Sequence, residues 1–225
     1  MRQLNCIYSN QKRVKKIARN QQHGEKMHLQ PSSKRISGRS LLAALAALQC
    51  LLAAPTFAAD QYASVREELI QMGKEDQAVR QKTTFTANDR EEMRVVDRKN
   101  SARLKEIIAE IGWPSESTVG KAASSSAFFI AQHAAHDRPL MDLAFTHIAA
   151  AYKAGTVPGA YYALMYDRLK MFDGEPQKYG TQIQSNEKSC GVYTLEDPAK
   201  VDLYRREVGL WESLESYKDK LCGTR

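Results

Sequence analysis

The chain has 225 residues, 43% of them hydrophobic, enough for one globular domain with a real core. Its formal charge of +7 invites a nucleic-acid reading, but residues 1–58 hold ten Lys/Arg against one acid, Glu25, leaving 23 basic against 25 acidic residues in the remainder. A domain with that −2 balance lacks a general electrostatic footprint for nucleic acid, so the basic charge belongs to the leader.

Within that leader, residues 34–59 read as a secretory signal. Lys34, Arg35 and Arg39 form its positive region, and the apolar run 41–54 is too short for a comfortable membrane span. Small residues at Thr56 and Ala58 place cleavage after Ala58, give or take a residue, with an uncleaved anchor as the alternative. Met27 is a second candidate start, and Gln49 before Cys50 departs from a lipobox. The expected organisation is therefore a leader over 1–58 and a single domain over 59–225, periplasmic or secreted, with no membrane attachment after cleavage. Cysteine usage agrees, because Cys190 and Cys222 alone fall beyond the leader, and two cysteines in an oxidising compartment more often pair than not. Closing that loop of about thirty residues adds on the order of 3 kcal/mol.

Helical periodicity then predicts a first helix over 60–81, with Tyr62, Val65, Leu69, Met72 and Val79 on one stripe and Asp76 in the same row. After a polar connection, Asn88 or Asp89 caps a second helix over 90–111 and Gly112 closes it. Asp97 and Asn100 stand on that helix where apolar side chains are expected. The stretch 112–137 is the organising one. Pro114 forces an extended entry, Ser115 or Ser117 caps, and Val119, Ala123, Ser126, Ile130 and His133 follow a helical row with Asp137 one turn further. Its alanines let neighbouring helices approach closely. Further helices are predicted over 138–153 and 160–172. Short β-prone runs at 179–184 and 191–195 flank a polar tip at 185–188 and read as a hairpin or a pair of irregular strands. A short helix from Asp197-Pro198 to Glu207 and a last helical segment over 211–221 complete a mainly α bundle of about five to seven helices with one small β-hairpin near the C-terminus.

The tripeptide GWP (112–114), Val119-Gly120, QHA (132–134), Asp167-Arg168, Gln177 with YGTQ (179–182), and Arg205-Arg206 followed by Gly209-Leu210 occur together in order. This pattern resembles a bacterial domain-of-unknown-function family, over roughly residues 76–210. The family pattern places an acid directly after QHA; here Ala135 stands there and His136-Asp137 follow. The resemblance implies domain identity and brings no established activity with it.

Asp76, Asp97, Asn100, His133 and Asp167 each interrupt an apolar row. A buried polar group without a partner costs a few kcal/mol, so these residues are expected to converge with one another or with water. In such a pocket His133 is the natural proton carrier, Asp97 or Asp167 its orienting group or base, and Arg168 the holder of an anionic group. Asp76, Asn100, Gln132, Gln177, Tyr179 and Gln182 would line the rest. The alternatives are structural: a satisfied core histidine, a helix-to-helix tie at Asp97 and Asn100, a local Asp167–Arg168 surface pair, and a YGTQ run that only docks the hairpin. His133, Asp137 and His147 could geometrically hold a metal, but no HExxH-type motif supports one, and no metal is expected. GxSxG elbows, phosphate loops and dinucleotide fingerprints are absent from the sequence, and no cofactor is expected. The reading is an exported ligand-binding or interaction module for a small-molecule or peptide-like ligand. A hydrolase-like enzyme with His133 as general acid/base is the alternative. Reaction, ligand and oligomeric state are left open.

Overall fold

The computed structural model describes residues 60–223 except 83, 84 and 186–188. The expected leader and signal segment lies outside the described residues. Seven helices stand among those described: α1 (Ala63–Ala78), α2 (Ala87–Ile111), α3 (Glu116–His133), α4 (Arg138–Lys153), α5 (Gly159–Phe172), α6 (Val201–Glu207) and α7 (Leu214–Cys222). An antiparallel hairpin of β1 (Ile183–Ser185) and β2 (Cys190–Val192) sits between α5 and α6, with Gln184 opposite Gly191. The bundle and hairpin are the expected architecture. No described helix is long and apolar enough to cross a membrane.

Helix α3 is the centre of the bundle. It contacts α1 most extensively and also touches α2, α4 and α5. Its side chains explain this: Val119, Ala123, Ala127, Phe128 and Ala131 are fully buried, and the alanines keep the neighbouring backbones near. Phe128 stacks on Tyr161 of α5 with ring centroids 4.1 Å apart. Helices α1 and α3 approach closely at Gly73. A β-carbon on Gly73 would stand 2.2 Å from Ser126 Oγ and 2.7 Å from Ser126 Cβ. Gly73→Ala is therefore expected to cost about 1–3 kcal/mol in urea unfolding through overpacking, and Ser126→Gly in the same chain to restore most of it. An unchanged midpoint for the single variant would show that the helices are not held this close.

Local signals set the helix ends. Thr86 and Asp89 form a reciprocal capping box at the start of α2, three residues before the predicted start. Ser115 caps α3 and Gly112 closes α2 at φ 74°. Asp137 does not extend α3; its side chain accepts the backbone N–H of Leu140 and starts α4. Inside α3, Gly120 adopts φ 79°, ψ 163°, a conformation that side-chain-bearing residues rarely take. This break turns the Val119 carbonyl out of the helical ladder to accept from Arg66 Nε at 3.0 Å, which gives the Val-Gly pair its physical meaning.

The strands are shorter than the β-prone runs suggest. Residues 179–181 form no ladder, because the N–H groups of Tyr179 and Thr181 are already bonded to a side chain, that of Asp167. Cys190 and Cys222 are joined, with a Cα separation of 5.6 Å, and tie β2 to the end of α7.

Candidate functional site

The polar residues that break the apolar rows on α1, α2 and α3 meet at one place. Asp76, in the last turn of α1, is 1% exposed. Its two oxygens lie 2.8 and 3.1 Å from Nδ1 of His133, the last residue of α3. Gln77 donates to the same carboxylate at 2.7 Å. Arg80, one turn on from Asp76 and just past the helix end, sets Nη1 3.1 Å from Asp76 Oδ1 and places Nη2 on Asp97 of α2. A single guanidinium thus spans the two carboxylates and ties α1 to α2. Sequence reasoning missed Arg80; the i, i+4 spacing from Asp76 was the available signal.

Arg168 of α5 approaches the same cluster. Its Nη1 donates to the Gln132 carbonyl at 2.9 Å, one of the carbonyls that the end of α3 leaves outside the helical ladder. Its Nε donates to Gln182 Oε1 at 3.0 Å. Gln182 is in turn held by the Leu164 carbonyl and Thr181 Oγ1. Asn100, one turn along α2 from Asp97, donates to the Met72 carbonyl at 3.3 Å. Among the described residues two buried acceptors find no partner, Asn100 Oδ1 and Gln132 Oε1; buried polar atoms rarely go unmet in a finished core.

The charges follow from this geometry. Burial pushes the Asp76 carboxyl up, but the His133, Arg80 and Gln77 contacts outweigh it and hold the group below the ordinary carboxylate range. Burial also pulls the His133 imidazole below its usual value, helped by the positive fields of Arg80 and Arg168 and opposed by Asp76. The pair therefore holds its negative charge on Asp76. An ionised carboxylate only accepts, so the His133 proton sits on Nδ1 and the lone pair on Nε2. Among the described residues Nε2 has no hydrogen-bond partner. Burial brings Arg168 down to about 10, still protonated at neutral pH.

Not every expected site residue joins this group. Asp167 and Arg168 do not pair with each other. Asp167 is fully buried and accepts the backbone N–H groups of Lys178, Tyr179 and Thr181 at 2.9 to 3.2 Å. Burial pushes its carboxyl up, against the pull of those three donors. Gln177 clamps the same segment: its Nε2 donates to the Gln182 and Tyr193 carbonyls, and its Oε1 accepts from the Gln182 N–H. The Tyr179 ring packs edge-on against Tyr162 and Tyr166, and its carbonyl accepts from Arg205 Nη1. These residues shape the loop that delivers Gln182 to Arg168; the described contacts do not take them into the cluster itself.

Three ligating groups, Asp76, Asp97 and His133, come within 4.8 Å of one another. The carboxylates already share Arg80, so a metal ion there would have to displace that side chain. The other trio considered, His133, Asp137 and His147, is not brought together. Asp137 is bonded to Lys105 and the start of α4, and His147 stacks on Trp113 at 5.5 Å.

Fold and site together define a helical domain whose central helix ends in a carboxylate-held histidine flanked by two arginines. Residues 63–223 match the family of unknown function DUF6624, and the chain belongs to that family. Neither a curated protein nor a solved structure matches the chain.

Proposed function

We propose that this chain is an exported binding protein of the cell envelope, and that it holds a small-molecule or peptide-like ligand at the cluster of Asp76, His133 and Arg168. The observation that carries this is a half-buried imidazole, fixed through Nδ1, whose Nε2 has no partner among the described residues; two buried acceptors, Asn100 Oδ1 and Gln132 Oε1, are also unmet there. A purely structural core would be expected to satisfy those two buried acceptors. Export is supported by the joined Cys190 and Cys222, since disulfides persist in oxidising compartments, and by the signal-like leader. The −2 balance of the residues beyond that leader favours no nucleic-acid partner.

One observation favours a second reading, a hydrolase-like enzyme. A carboxylate on Nδ1 fixes the tautomer that leaves Nε2 able to take a proton, the arrangement a general base needs. The test of both is a thermal-shift screen of the purified protein against envelope metabolites, short peptides and divalent metals, with His133→Ala and Asp97→Asn alongside. The expected result is a ligand that raises the wild-type Tm by several degrees and leaves both variants unmoved. Turnover of that ligand, lost in a folded His133→Ala variant, would select the enzyme; lost affinity with no turnover selects the binding protein. No stabilising compound, with both variants merely less stable, would refute the binding site.

A further inference from the structure

We infer that the ligand of this site carries an oxyanion, a carboxylate or a phosphate, received by Arg168 through N–H groups that the described residues leave unpartnered. This rests on the binding reading above and adds the chemical class. The guanidinium makes hydrogen bonds to two neutral acceptors, the Gln132 carbonyl and Gln182 Oε1, and no ion pair with any carboxylate of the described residues. Nη2 takes part in neither bond. Arg80 and Arg205 differ. Arg80 is paired with Asp76 and Asp97. Arg205 bonds the Glu212 and Tyr179 carbonyls, lies 4.9 Å over the Tyr217 ring and has Asp202 at 4.0 Å. Among the described residues Arg168 has no comparable carboxylate or ring. Asp97 acts on it only as a more distant charge.

Arg168 is half-buried, so its guanidinium is less well hydrated than a free one and lacks a counter-ion to compensate, and its planar fork fits a carboxylate or phosphate edge. The support around it is rigid. Gln182 is held from three sides, so the orientation of the fork is fixed before any ligand arrives, which lowers the entropy lost on binding. Arg168 also bonds the residue next to His133, and its field reaches that imidazole. An oxyanion bound here would lie close enough to raise the affinity of His133 for a proton.

The test titrates the purified full-length protein with inorganic phosphate and, separately, with succinate, against sodium chloride at matched ionic strength, followed by calorimetry and by the His133 imidazole resonances. At least one oxyanion is expected to bind saturably and to move the His133 titration upward, while chloride does neither. Binding by phosphate alone, by succinate alone or by both distinguishes the two sources. Arg168→Gln is expected to weaken binding at least tenfold. Gln182→Glu supplies an internal carboxylate to the same guanidinium while giving up the bonds to Leu164 and Thr181; it is expected to weaken binding at least tenfold in a chain that still folds, so the inference stays testable even if Arg168→Gln fails to fold. Failure of both anions to bind the wild type, or unchanged affinity in Gln182→Glu or in folded Arg168→Gln, would overturn it. A neutral or cationic compound that binds in a His133-dependent way, with neither anion binding, would overturn the oxyanion class and leave the binding site standing.

Discussion

Replacing Asp167 by alanine is expected to cost about 3–5 kcal/mol and to abolish oxyanion binding, although this side chain touches none of the groups proposed to meet the ligand. Three backbone N–H groups at Lys178, Tyr179 and Thr181 end on its carboxylate. Each buried donor left without an acceptor costs about 1–3 kcal/mol, and the losses are less than additive because the loop can relax. Relaxation then propagates. The same segment carries the Tyr179 ring, the Thr181 carbonyl that accepts from the Tyr217 hydroxyl, and Gln182, which fixes Arg168. Asp167→Asn keeps one acceptor but turns an amide N–H2 towards the donors, and a smaller loss of about 1–3 kcal/mol is expected. Urea unfolding measures both. A loss under about 1 kcal/mol for Asp167→Ala would mean that the loop is held without it, by contacts that include Gln177, Arg205 and Tyr217.

Acidification from pH 7.5 to pH 5 is expected to destabilise the wild type, and His133→Gln is expected to remove most of that dependence. The sign follows from the direction of the shift. The folded imidazole has its pKa lowered, chiefly by burial and further by Arg80 and Arg168, with Asp76 of α1 opposing. A group depressed on folding binds protons more readily in the unfolded chain. Its contribution is complete above the unfolded value of about 6.5 and is lost as pH falls through the folded value. The slope cannot exceed about 1.4 kcal/mol per pH unit, the effect of one proton. Asp76 is also depressed, so its contribution disappears in a separate, more acidic step, below about pH 3.9. In the exposed pairs Glu68–Arg103 and Arg138–Asp173 the arginine bonds likewise hold the carboxyl groups below their ordinary values. Glutamine at 133 can still donate to Asp76, which keeps the local hydrogen bond while removing the titration. Equal pH slopes in wild type and variant would contradict the assignment.

Much of the cluster was legible in the sequence because helical periodicity is a tertiary statement in disguise. Asp76, Asp97 and His133 stand in rows that otherwise point to a core, and rows that point to one core bring their exceptions together. Periodicity does not say which partner each exception finds. Asp167 and Arg168 are neighbours in sequence, yet a helix turns about 100° per residue; one bonds the loop while the other reaches the end of α3. Arg80 lies beyond the last apolar residue of α1, where the row no longer constrains direction. The YGTQ run has strand-like composition, but its amide groups are claimed by Asp167, a competition no local propensity reveals. Gly120 was visible as part of a motif, whereas its break in α3 became explicable only with Arg66 in place to take the Val119 carbonyl.

The most direct measurement is a long-range nitrogen–proton correlation spectrum of the histidine side chains, followed from pH 7.5 to pH 5. For His133 the expected result is a neutral ring at pH 7.5 with its proton on Nδ1 and Nε2 unprotonated, titrating below 6.5. A ring protonated on Nε2 alone, or an imidazolium persisting at pH 7.5, would contradict the Asp76–His133 arrangement on which the proposed site depends.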